Sequence, residues 1–313
     1  MLPAVQKCFV NIVKAITKYE YAVIVTPDTE DVKRRLSAAV ADISRIAFLQ
    51  SPTNDTWARD FGPITIFEGD PAMPRLCDFM FNGWGLKYPA CHDNLITRRL
   101  VDAGLLRAEN YRNCLDFVLE GGSIDSNGQG CILTTSRCLM SPNRNGARSR
   151  DEIEQYLMST LGCRKVLWLD HGTIAGDDTD CHIDTLARFT APDTIVYVDS
   201  PADTSHPDYD ELTAMRRELG SLTDADGNPF TLVPLPYAGP TIDADGNPLP
   251  ATYANFLITP RAVFVPVYGL RKTDDMACSI LGSLFPGRDI VPVDCRALIC
   301  QHGSLHCVTM QLY

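Results

Sequence analysis

The chain has 313 residues, enough for one large domain or two ordinary ones. Charged residues make up 21% and apolar residues 45%, a balance that excludes a disordered or fibrous chain. Asp and Glu number 39 against 28 Lys and Arg, a net charge of −11 that argues against a nucleic-acid partner and suits a small cationic ligand.

No apolar run approaches the roughly 18 to 20 residues of a membrane span, so no membrane partner is expected. Lys7, Lys14 and Lys18 interrupt the N-terminal apolar positions, and the segment does not read as a secretory signal. Val5, Phe9, Ile12, Val13 and Ile16 recur there at helical spacing. Twelve scattered cysteines without a signal predict reduced thiols in a cytoplasm rather than a disulfide framework.

Along the chain, β-rich apolar runs alternate with amphipathic segments. A strand at Tyr21–Val25, a helix at Thr29–Val40 and a strand at Ile43–Leu49 come first. Strands follow at Ile64–Phe67 and Leu76–Phe81, then a helix near Asn94–Ala103. Strands at Phe117–Ile124 and Cys131–Thr134 precede a helix at Arg150–Leu161 and a strand at Val166–Leu169. The order returns with strands His182–Phe189 and Thr194–Val198, a helix near Asp208–Leu219 and a strand at Thr231–Leu235. It returns again with strands Tyr253–Ile258 and Ala262–Val267, a helix at Asp275–Phe285 and a strand at Ile290–Val293. Ser304–Gln311 reads as a last strand.

A unit of strand, strand, helix, strand thus recurs. Trp57, Leu119, His182, Tyr253 and Leu305 mark it, at steps of 62, 63, 71 and 52 residues. Units that cannot bury their faces alone stack on their neighbours, and a closed ring is one outcome. A doubly wound sheet fits the same alternation, but no Gly-rich phosphate loop supports it. Asp-Ala-Asp-Gly-Asn-Pro occurs at Asp224–Pro229 and Asp243–Pro248 and reads as two turns, lacking the further carboxylates of a calcium loop. No low-complexity linker divides the chain, which reads as one domain.

Several polar residues fall where strand residues should be apolar. They are Asp60, Glu120, His182, Asp184 and Cys307, each pair or single residue from a different copy of the unit. His182 and Asp184 flank Ile183 and would share one face of a strand. Taken singly, each has an ordinary structural explanation; together they would fill one axial pocket. Cys295, Cys300, His302, His306 and Cys307 are a rival set of soft metal ligands, but they lack zinc spacing, and no metal or cofactor is expected.

The run Trp57-Ala58-Arg59-Asp60-Phe61-Gly62-Pro63 resembles the agmatine deiminase and bacterial-type peptidyl-arginine deiminase family. The likeness continues at Phe81–Gly85, Leu119–Ser123, Thr134-Thr135, Pro142–Asn145, Asp178–Asp184, Ala254–Phe256, Phe285-Pro286 and Leu305–Cys307, in family order. The resemblance implies an α/β pentein fold of five ββαβ units in a ring, and metal-free guanidine hydrolysis. It makes Asp60 and Asp184 guanidinium ligands, Glu120 and His182 catalytic, and Cys307 the nucleophile. By similarity Trp57 and Trp84 would line the channel and Asp178 would help hold a cation.

The chain departs from the family pattern at Cys181, where Gly is usual, and around His302–Cys307 and Asp125–Gly128. A Trp-rich segment usual in the family does not precede Met1, so the first unit is expected to be incomplete. Agmatine is the expected substrate, yielding N-carbamoylputrescine on a route to putrescine. Peptidyl-arginine deimination, amidino transfer and non-catalytic guanidine binding stay open, as does homo-oligomerisation.

Overall fold

The computed structural model describes residues 2–39, 41–69, 73–239 and 241–313. The strands are β1 (Ala22–Thr26), β2 (Ile46–Gln50), β3 (Ile64–Phe67), β4 (Pro74–Met80), β5 (Tyr111–Val118), β6 (Ile124–Ser126), β7 (Cys131–Thr135) and β8 (Lys165–Leu169). There follow β9 (Ala187–Ala191), β10 (Thr194–Val198), β11 (Thr231–Leu235), β12 (Thr241–Ile242), β13 (Pro248–Leu249), β14 (Leu257–Ile258), β15 (Ala262–Val267) and β16 (Asp289–Asp294).

Four three-stranded sheets share one plan: β3-β4-β5, β6-β7-β8, β9-β10-β11 and β14-β15-β16. In each, the first two strands are antiparallel and the last two parallel. A parallel pair needs a long crossover, and a helix supplies it every time. Those helices are Ile96–Asp102, Arg150–Leu161, Tyr209–Ser221 and Arg271–Leu284. The parallel pair β1-β2, joined through the helix Thr29–Ala38, repeats the plan without a leading strand. The predicted last residue of that helix, Val40, lies outside the described residues.

The middle strands lie deepest. All five residues of β7 are buried, as are five of six in β15. Covered on both faces, they show no alternation of apolar and charged residues, which is why the sequence located them well. The N-terminal helix Leu2–Ile16 buries Val5, Cys8 and Ile12 against the largest core cluster. A separate cluster of Trp57, Phe61, Phe81, Trp84, Ile96 and Leu100 includes Cys307.

Several strand expectations are corrected. Ile43–Leu49 opens on a 3-10 turn at Ile43–Arg45, and the strand starts at Ile46. Phe117–Ile124 is not one strand: β5 ends at Val118, and Gly121–Ser123 is a 3-10 turn. His182–Phe189 opens on a 3-10 turn at Ile183–Thr185 before β9. Tyr253–Ile258 is extended only at β14. Ser304–Gln311 forms no strand. Its backbone is committed elsewhere: the His306 N–H meets Asn255 Oδ1, the Thr309 N–H meets the His306 carbonyl, and the Cys307 carbonyl accepts from Arg59 N–H.

The two Asp-Ala-Asp-Gly-Asn-Pro runs are turns, with Asp224 and Asp243 side chains accepting backbone N–H groups two and four residues on. The twelve cysteines are free thiols. Among the described residues no helix is long and apolar enough to cross a membrane.

Candidate active site

The polar candidates sit on turns, not on strands. Asp60 lies in the helical turn Ala58–Phe61 before β3, and Glu120 in the turn before β6. His182 and Asp184 lie in the turn before β9, and Cys307 in the irregular segment after β16. A turn spares these side chains the alternation a strand imposes, so His182 and Asp184 converge without sharing a strand face.

His182 stands between two carboxylates. Its Nε2 is 3.3 Å from Glu120 Oε2 and its Nδ1 is 3.6 Å from Asp60 Oδ1. Both oxygens of Asp60 are engaged: Gly122 N–H donates to Oδ1 and Trp84 Nε1–H to Oδ2, each at 3.0 Å. Asp184 accepts at Oδ2 from His306 Nδ1 at 2.7 Å. Its Oδ1 is buried without a hydrogen-bond partner among the described residues.

Asn255 Oδ1 accepts from the His306 N–H at 2.8 Å and from the Cys307 N–H and Sγ at 3.4 Å. Gly122 marks the centre. A Cβ there would lie 2.6 Å from His182 Nδ1, 2.9 Å from Asp60 Oδ1 and 3.1 Å from Asp184 Oδ2.

Two strained segments aim the site. Gly83, Trp84, Gly85 and Leu86 have φ of 70°, 56°, 78° and 68°, a left-handed turn closed by Leu86 N–H on the Asn82 carbonyl. The glycines adopt it freely, whereas Trp84 and Leu86 each cost roughly 1–2 kcal/mol. The turn delivers the Trp84 indole to Asp60. Asp180 and Cys181, with φ of 66° and 67°, precede His182. Gly would carry the Cys181 conformation without strain. Here the Cys181 N–H bonds to Asp177 Oδ2 and its carbonyl accepts from Thr135 Oγ1.

Burial and neighbouring charge pull the ionisable groups apart. Burial pushes the Asp60 carboxyl up, against the charge of His182. Burial also works to raise Glu120, but hydrogen bonding to His182 and the Arg144 charge hold it below its ordinary value. Burial would lower His182; the Asp60 charge, Cys138 and Glu120 outweigh it and raise the imidazole well above its ordinary value. Asp184 is pushed up to about 7, mainly by burial. Burial, with the charges of Asp184 and Asp60, pushes the Cys307 thiol up, so it is neutral before a ligand arrives.

The profile of the Porphyromonas-type peptidyl-arginine deiminase family matches residues 1–312. The chain belongs to this family. A Porphyromonas gingivalis crystal structure, named a "putative arginine deiminase", is 49% identical and superposes with a TM-score of 0.93, covering 98% of this chain and 89% of that one. A structure of C. jejuni agmatine deiminase, a cysteine-to-serine variant with substrate bound, is 35% identical with a TM-score of 0.89, covering 98% and 86%. A Legionella pneumophila (strain Paris) protein named "putative agmatine deiminase" is 32% identical over 99% of this chain and 87% of its own.

In this family member, Asp60, Glu120, His182, Asp184, Cys307 and Trp84 lie together in one buried cluster. Trp57 packs on Gly303, where a Cβ would fall 2.2 Å from its ring, and so forms a wall under the Cys307 segment. Asp178 stands further out, accepting from Tyr88 Oη at 3.3 Å, while Lys87 Nζ bonds its carbonyl and Asp180 Oδ1.

Three residues of the site are ones that nothing in the sequence aimed at it. Arg144 is wholly buried, with Nε 2.8 and 3.0 Å from the Glu120 oxygens and Nη1 2.6 Å from Asp180 Oδ2. Asn255 lay inside a recognised motif without an assigned task. Cys138, on a short helix after β7, reads as a core thiol, yet its Sγ is 3.5 Å from Glu120 Oε2. Glu120, Cys138 and His182 place one ligand atom each within 4.8 Å of one another. Arg144 covers both Glu120 oxygens, so a cation there would meet a fixed positive charge. The expected rival ligands are dispersed: His302 Nδ1 faces the Gly176 carbonyl, and His306 faces Asp184.

Proposed function

We propose that this chain hydrolyses agmatine to N-carbamoylputrescine and ammonia through a covalent intermediate on Cys307. It is a hydrolase of C–N bonds in linear amidines, a class its family and its agmatine deiminase relatives support. The observation that carries the reading is the convergence of Asp60, Asp184 and His182 on the missing Cβ of Gly122.

A guanidinium is planar and cationic, and two carboxylates hold it through paired N–H···O bonds. Asp60 and Asp184 take that role. The bound cation lowers the thiol pKa of Cys307, the thiol gives up its proton to solvent, and the thiolate attacks the guanidinium carbon. The carbon–nitrogen bond breaks, and ammonia leaves with a proton from His182. His182 then takes a proton from water, which attacks the thiouronium carbon; the carbon–sulfur bond breaks and a ureido product leaves. Glu120, anchored by Arg144, orients His182 and favours its charged form. Trp57 and Trp84 wall the channel, and Asp178 meets the cationic tail. No cofactor enters this scheme.

The shared strand plan supports a single domain of five units in a ring, the pentein arrangement, with the turns gathered at its axis. The twelve free thiols support a cytoplasmic protein. An arginine substrate would need a clamp for its carboxylate. Arg144 holds Glu120, Arg188 holds Asp125, and the Arg271 side chain is 95% exposed, so none of these arginines is set as that clamp. That favours agmatine over arginine-bearing substrates. Ammonia release against agmatine, free arginine and a peptide with terminal arginine tests the reading. A specificity constant for the peptide at or above that for agmatine overturns the substrate assignment.

A further inference from the structure

We infer that His306 is a positioning residue for substrate recognition, fixing the plane of the Asp184 carboxylate beside Asp60 and His182 for the guanidinium. The inference rests on the reading of Asp184 as a guanidinium ligand.

Asp184 offers two oxygens with different fates. Oδ2 lies 2.7 Å from His306 Nδ1, while Oδ1 is buried and unpartnered among the described residues. Both side chains are almost wholly withdrawn from solvent, at 5% exposure for His306 and 1% for Asp184. A carboxylate so placed needs a donor on one oxygen to fix the plane of the other, and the His306 ring is the side chain that reaches it.

The ring is itself fixed through its backbone. The His306 N–H donates to Asn255 Oδ1 at 2.8 Å, the side chain that also holds Cys307, and the His306 carbonyl accepts from Thr309 N–H. One dipeptide thus sets both the nucleophile and the carboxylate that orients its target.

The charges around His306 suit a neutral donor. Burial and the positive charges of Arg188, Arg59 and His182 hold its pKa well below the ordinary value. A neutral imidazole with its hydrogen on Nδ1 donates to Asp184 and leaves the carboxylate charge intact for the ligand. An imidazolium in the same place would compete with the substrate cation.

The test uses the full chain with His306→Ala, His306→Asn and His306→Gln. The Asn amide nitrogen occupies about the place of Nδ1, and the Gln nitrogen does not. Two reagents that differ only in charge, chloroacetamidine (cationic) and chloroacetamide (neutral), alkylate Cys307, and mass spectrometry follows each rate. Loss of a charge-assisted hydrogen bond should cut the cation preference of His306→Ala and His306→Gln by roughly tenfold to a hundredfold. His306→Asn should retain it, and all variants should keep the neutral-reagent rate within about threefold. For agmatine, KM should rise more than kcat falls.

An unchanged cation preference in His306→Gln overturns the inference. So does an equal loss of both alkylation rates in all variants, which would mark a structural role. Should His306→Ala not fold, the contrast of Asn with Gln decides. Absence of any cation preference in the unsubstituted chain overturns the underlying reading of Asp184 instead.

Discussion

Gly122→Ala asks the most direct question of the site. The change adds one methyl group at a point 2.6 Å from His182 Nδ1, 2.9 Å from Asp60 Oδ1 and 3.1 Å from Asp184 Oδ2. None of the three is the loose end of a flexible chain. His182 is held by Glu120, Asp60 by Trp84 and the Gly122 N–H, and Asp184 by His306. To reach ordinary contact, His182 must retreat by most of an ångström. Displacements of that size cost about a hundredfold in rate where reacting groups are pre-aligned. The expected result is a loss of kcat/KM for agmatine of about a hundredfold or more, with cooperative thermal unfolding preserved. Gly220→Ala is the control. It lies in the helix Tyr209–Ser221 with nothing within 4 Å of the added Cβ, and should leave activity unchanged. Ammonia release and thermal melting measure both variants. A Gly122→Ala enzyme keeping more than a third of kcat/KM would refute the convergence of these three groups on one ligand.

Cys307→Ser should abolish turnover, since a hydroxyl is far less ionised than a thiol, and mass spectrometry of the unsubstituted protein under turnover should find an adduct on Cys307; full activity in the variant would remove the covalent step. Asp60→Asn and Asp184→Asn should each cut kcat/KM by roughly tenfold to a hundredfold, the worth of a charged hydrogen bond, while the fold survives; unchanged kinetics in both would sink the ligand assignment. Asp184, raised to about 7, must ionise to hold a cation, so kcat/KM should fall as pH drops through about 7, and Asp184→Asn should lose that acid limb. The folded pKa lies above the unfolded value of about 3.9, so this group's contribution to stability is present at low pH and lost as pH rises through about 7. Melting curves of the substrate-free protein, compared with Asp184→Asn from pH 5 to pH 8, read that difference; a contribution growing with pH would contradict it.

The sequence was legible where one physical rule governs a segment. β7, β10 and β15 are covered on both faces, and their freedom from alternating charged residues named them. The helix Arg150–Leu161 carries its own start signal in Ser149 and Glu152, which bond reciprocally, and its stop in Gly162 at φ 73°. It was misleading where polar atoms from distant residues decide the backbone. His182-Ile183-Asp184-Thr185-Leu186 and Leu305-His306-Cys307-Val308 alternate like strands, but Thr185 turns back on His182, and Asn255 captures His306 across 51 residues. Asn255 has no local signature, because an amide that binds another segment's backbone looks like any loop asparagine. Arg144 sat in a recognised motif with no task assigned, because a buried arginine cannot be told from a ligand-binding one until its carboxylate partners are seen.

The site is a net of bonds between turns, and nearly every bond has one end on a reacting group. Gly122 N–H holds Asp60, Asn255 holds Cys307, Arg144 holds Glu120, and Glu120 holds His182. Such a net spends its donors fixing geometry, so whatever polar capacity is left over defines the ligand. What is left is a buried Asp184 oxygen with no donor among the described residues, a carboxyl poised near neutrality, and a thiol that burial and its anionic neighbours keep protonated. An anion would worsen all three, and a neutral amide would supply a donor without relieving the charge. A planar cation with several N–H groups satisfies the orphan oxygen, stabilises the ionised carboxyl and favours the thiolate in one binding event. In the proposed mechanism, the same chemistry that selects a guanidinium would therefore arm the nucleophile that attacks it.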